Sequence, residues 1–150
     1  MTQIFITGAI STSAETWDAK TNMELFDNTY IVDTTAKYGR LDGKNVFVFG
    51  NNQPGIIAVT RTWYETSTGN ILDSDVLFNL RFIWGDATVD YRKMDIQNIA
   101  THEIGHTIGL NDQYDDICSE VTMYGYSDYG ETKKRSLEVP DINGLTALYN

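Results

Sequence analysis

The chain predicts an α+β fold: a twisted mixed sheet carrying helices on one face. Three observations lead there. Gly55 to Tyr64 and Ile71 to Phe78 read as two strands joined by the turn-forming run Thr66-Ser67-Thr68-Gly69-Asn70. Ile96, Ala100, Ile104 and Ile108 then recur at a spacing of four, the signature of a helix with one apolar stripe. Strands mixed with helices, with the strongest helix after the last strand, make one sheet with helices packed on it.

Taken in order, the first element is a helix over about Ile4 to Lys20, with Ile6, Ile10, Ala14 and Trp17 in phase and the Trp17 face packed on the sheet. Leu25 to Asp33 and Val46 to Phe49 are short strand candidates, separated by the turn Asp42-Gly43-Lys44-Asn45. The two longer strands follow, and then the striped helix, for which Asp95 is a fitting N-cap. A long irregular segment leads to a C-terminal helix from about Pro140. No internal repeat, linker or low-complexity tract interrupts the 150 residues, so residues 1–150 are expected to be one domain.

Charge narrows the partners. A net charge of −10 argues against nucleic acid and anionic membrane surfaces. No apolar run approaches the ~20 residues of a membrane helix, and Met1 to Ile10 lacks the basic start of a signal peptide. The single cysteine, Cys118, excludes an internal disulfide and reads as a small packed residue. Lys133-Lys134-Arg135 is a basic run in an acidic chain and reads as a solvated loop face.

One stretch names a chemistry. His102-Glu103-Ile104-Gly105-His106-Thr107-Ile108-Gly109-Leu110-Asn111-Asp112 contains both histidines of the chain in the pattern H-E-x-x-H-x-x-G-x-x-D. Histidines four apart on a helix lie one turn above each other, so both imidazoles reach one metal ion. They stand about 200° around the helix from the apolar stripe, facing a cleft while the stripe faces a core. Glu103 is placed to take a proton from a metal-activated water. Gly109 lets the chain leave the helix in a left-handed turn, which returns Asp112 as a third ligand. This is a zinc hydrolase signature. A third ligand from Glu120 or Glu131 is the rival arrangement.

These residues resemble the metzincin metallopeptidases and, within them, the matrixin-like catalytic domains. Val121-Thr122-Met123-Tyr124 resembles the methionine turn beneath the zinc. Ile71 to Asn79 resembles the strand before the active-site helix, and Val139 to Tyr149 the closing helix. The likeness spans about residues 55 to 150. It implies a zinc-dependent endopeptidase with one catalytic Zn²⁺ held by His102, His106 and Asp112, with Glu103 as general base and Met123 as an apolar floor. It implies a peptide or protein substrate and a secreted, extracellular monomer. The alternative is a zinc-containing binding module that no longer cleaves. Asp112 replaces the histidine most matrixins use, adding negative charge at the metal, so activity is expected at or above neutral pH. The histidines of a second, structural zinc are missing. A first strand and propeptide are not evident either, so a mature or trimmed catalytic domain is expected.

The resemblance also makes Gly55 to Thr60 the sheet edge over the cleft, where Ile57, Ala58, Val59 and Thr60 would bind an extended peptide by backbone hydrogen bonds. Tyr124 and Tyr126 are candidates for the wall of a selectivity pocket. Asp112, Asp115 and Asp116 are a candidate Ca²⁺ cluster, as metzincins often brace loops with calcium. Asp73 and Asp75 either turn towards a metal or alternate outward on their strand.

Overall fold

Thr2 opens the first helix: its hydroxyl accepts from the Phe5 N–H at 3.3 Å and satisfies a donor that a helix start leaves unpaired. This helix, α1, spans Gln3–Asp18 in the computed structural model, which describes residues 1–27 and 29–149. Its buried line is Ala9, Ser13 and Trp17, which shares Trp17 with the expected stripe and otherwise runs beside it. The reason is the neighbour. Small Ser13 lets α1 approach the striped helix α2 (Ile96–Thr107), where Ser13 Oγ lies 3.0 Å from Thr101 Oγ1 and donates to the Gln97 carbonyl. Trp17 Nε1 donates to the Thr101 carbonyl at 2.8 Å. The expectation that Trp17 packs on the sheet is therefore corrected: its main support is α2.

Three strands form the main sheet: β1 (Val46–Gly50), β2 (Ala58–Tyr64) and β3 (Ile71–Asn79), in the order β1-β3-β2. β3 runs parallel to β1 and antiparallel to β2, so the sheet is mixed and β2 is an edge. Val76 and Phe78 point inward, fully buried against Ile96, Ile99 and Ala100 of α2. The opposite parity carries Asp73 and Asp75, which accept backbone N–H groups from Asp42 and Gly43 and from Gly39 and Arg40 at 2.6–3.0 Å. These carboxylates pin the loop over the outer face. Two short strands, β4 (Trp84–Gly85) and β5 (Met94–Asp95), pair parallel just before α2. The chain closes with α3 (Val139–Tyr149), which buries Leu145.

Three expectations change. Residues 25–33 form no strand among those described; Asn28 lies outside them. Side chains claim the backbone there instead: Asp18 accepts from Leu25 N–H, Asp27 from Thr29 N–H and Asp33 from Thr35 N–H, local bonds that compete with a ladder. Strand β2 begins at Ala58, because Gly55 takes a positive φ of 86° and Asn79 Nδ2 holds the Gln53 and Ile56 carbonyls in a turn. The basic run is not a solvated face. Lys134 is 1% exposed, and Arg135 makes a bidentate pair with the fully buried Asp95.

Candidate metal centre

Helix α2 starts at Asp95, whose side chain accepts from Asn98 N–H at 2.8 Å, and it ends where Gly109 takes a φ of 98°. The Leu110 N–H then bonds back to the Gly105 carbonyl, closing the helix and reversing the chain. Gln113 pairs with the methionine turn: its N–H donates to the Met123 carbonyl and its carbonyl accepts from Gly125 N–H, both at 2.8 Å. Residue 112 is thereby brought back over the helix.

The two imidazoles lie with ring centroids 4.8 Å apart. His102 Nδ1 is 2.7 Å from the Thr122 carbonyl, and His106 Nδ1 is 2.8 Å from the Leu110 carbonyl. A carbonyl only accepts, so each Nδ1 carries the proton and each neutral ring presents a bare Nε2. Asp112 Oδ1 sits 3.2 Å from His102 Nε2 and 3.5 Å from His106 Nε2. It is buried without a hydrogen-bond partner, while Oδ2 accepts from the Tyr114 hydroxyl at 3.0 Å. Three lone pairs thus face one point, with ligand atoms all within 4.8 Å of one another. Only a shared cation or added protons relieve such a cluster, and the donor set of two imidazoles and a carboxylate fits zinc. In the metal-free protein, burial opposes charge on His106, but its contact with Asp112 and the field of Glu103 raise its pKa overall. Burial likewise opposes charge on Asp112, and the two imidazoles outweigh it and hold the carboxyl far below the usual range.

The other residues singled out in the sequence divide around this centre. Glu103 is 5% exposed, and Thr60 Oγ1 donates to its Oε2 at 2.6 Å. Met123 packs beneath the helix against Gly105, where a Cβ would stand 2.2 Å from its sulfur. Ile57, Ala58, Val59, Thr60 and Tyr126 all line one open cleft with the histidines. Tyr124 instead turns its hydroxyl to Asp116 at 3.3 Å. Asp115 caps a 3-10 turn, so the proposed calcium trio does not converge; Asp112 belongs with the histidines. Glu120 pairs with Lys133 and Glu131 with Ser127, and neither joins the imidazoles.

A family model described as Matrixin matches residues 1–150. The chain belongs to the matrixin family. Matrixins are zinc-dependent metallopeptidases, so zinc and a peptide or protein substrate come with the membership. A search of curated proteins finds no match. No helix among the described residues of this matrixin is long and apolar enough to cross a membrane. Several supporting parts of the matrixin site escaped the sequence reading. Asp141 accepts from Thr122 and Met123 N–H at 2.9 and 3.0 Å and shapes the methionine turn. Its signal was an acid in the first turn of the closing helix. Tyr114, and the side chain of Thr60, left no signal.

Proposed function

We propose that this matrixin is a zinc-dependent endopeptidase of residues 1–150, acting outside the cell on peptides or proteins as a monomer. The convergence of His102 Nε2, His106 Nε2 and Asp112 Oδ1 on one point carries the reading. Those residues would hold one zinc ion, which when bound acidifies a water and polarises the scissile carbonyl.

The chain's own groups do the rest. Thr60 anchors Glu103 Oε2, leaving Oε1 to take the proton from the attacking water and pass it to the leaving amine. Thr122 and Leu110, by accepting from Nδ1, fix the rings in the ligating tautomer. Tyr114 steadies Asp112. An extended substrate adds along residues 57–60, at the start of edge strand β2, in the cleft that Tyr126 also lines. Met123 fills the space under the histidines and binds nothing.

The test is hydrolysis of a quenched fluorescent peptide library by zinc-loaded protein beside its Glu103→Ala variant. Cleavage by the parent, lowered about 10²–10⁴-fold in the variant, is expected. Equal cleavage by both removes Glu103 from its role. No cleavage by either leaves a binding module.

A further inference from the structure

Lys134 breaks a pattern its neighbours keep. Lys133 lies 3.2 Å from Glu120, and Arg135 pairs with Asp95 and Asp86. Lys134, between them, is 1% exposed and has no carboxylate within 4 Å among the described residues. Its Nζ donates to the Tyr124 carbonyl, which uses one of three ammonium donors. The residue nevertheless lines the cleft, together with Ile99 and His102 of α2 and with Gly125, Tyr126 and Ser127 across from them.

Its position is fixed. The Lys134 N–H donates to Asn98 Oδ1 at 2.8 Å, Asn98 Nδ2 donates to Ser127 Oγ at 3.1 Å, and Ser127 donates to Glu131 Oε2 at 2.7 Å. The wall beside the metal centre is thus tied to α2 through the same lysine that forms its base. Burial pushes the ammonium down to about 8, against the pull of the Glu131, Asp112 and Glu103 carboxylates, so it is still mostly protonated at neutral pH. A buried charge with no close counter-charge is costly, and a ligand that supplies one regains that cost. Glutamine in the same place offers shape without charge, and a basic side chain is repelled.

We propose that Lys134 makes the pocket beside the metal centre selective for an acidic side chain, Asp or Glu, on a substrate residue flanking the scissile bond. This rests on the endopeptidase reading for its location. In a chain of net charge −10 the overall field repels an acidic substrate, so what Lys134 contributes to the preference is local and is removed with this one amine.

The experiment uses peptides identical except for Glu, Gln or Lys at each residue flanking the bond. For zinc-loaded protein, kcat/KM is expected to favour Glu over Gln by about tenfold or more at one flanking position. Lys134→Met brings that ratio to within about twofold of one, and Lys134→Arg keeps it. The same Glu and Gln peptides are titrated calorimetrically into zinc-loaded Glu103→Ala protein, with and without Lys134→Met. Tighter binding of the Glu peptide, lost with Lys134→Met, is the parallel expectation. No Glu-over-Gln difference at either position, or one that survives in Lys134→Met, overturns the assignment. Selective binding without cleavage by the parent upholds the pocket and refutes the peptidase, whereas cleavage without selectivity does the reverse. Thermal melts check that each variant folds. If Lys134→Met does not, the parent's Glu/Gln ratio and its retention in Lys134→Arg decide.

Discussion

The two walls of the cleft are fastened to the same helix by opposite means. On the strand side, neutral hydroxyls do it: Thr60 reaches Glu103, and Thr62 reaches the His106 carbonyl at 3.3 Å. On the other side, residues 124–136 have little regular structure, and charge holds them. Arg135 clamps Asp95 and Asp86, and Lys134 is sunk between α2 and the Tyr124 carbonyl. A strand gets its shape from its ladder with β3, so its side chains need only touch the helix. An irregular wall has no ladder and depends on buried ion pairs and amide bonds for its shape. Damage to the first wall should therefore reach catalysis, and damage to the second should reach stability and selectivity.

The largest break in this contrast is Asp95→Ala. Asp95 is fully buried, caps α2, accepts from Ala87 N–H and carries Arg135. Its loss leaves the Arg135 guanidinium with Asp86 alone and removes the helix cap as well, and should cost about 3–5 kcal/mol in urea unfolding. Next comes Gly105→Ala, where the new methyl would meet the Met123 sulfur and Trp17 in the core beneath the helix. Overpacking there should cost about 1–3 kcal/mol and lower the melting temperature. Thr60→Val sharpens the contrast from the strand side: kcat/KM should fall about tenfold as Glu103 loses its anchor, with the urea midpoint nearly unchanged. The last effect is a slope, not a loss. The Lys134 amine titrates near 8 in the folded chain against an ordinary 10.5, so between those values the unfolded chain binds more protons. Stability of the parent should therefore gain a rising contribution from pH 8 towards 10.5, and paired denaturation curves of Lys134→Met should lack it.

Much of this molecule was legible before its structure. The α2 stripe gave the helix its buried side, and the spacing from His102 to Asp112 marked three side chains whose polar atoms lie within 4.8 Å of one another, because both are local patterns written in one element and its exit turn. What escaped depends on partners far along the chain. The basic run at residues 133–135 looks solvated in isolation; only the approach of Asp95 and Asn98, about forty residues upstream, draws it inward. Residues 25–33 have strand-like composition, yet Asp18, Asp27 and Asp33 take their backbone donors first. Nothing in the motif's spacing marks Gly105, and its reason is the Met123 sulfur, eighteen residues later, pressed against the helix.

His102, His106 and Asp112 are proposed to hold one zinc ion. The direct measurement is the zinc content of the purified, dialysed protein beside its Asp112→Ala variant, with X-ray absorption to identify the ligand atoms. One zinc per chain, bound by two imidazole nitrogens and a carboxylate oxygen and lost in Asp112→Ala, is the expected result. Full zinc retained in Asp112→Ala, or a parent that binds none, would contradict it.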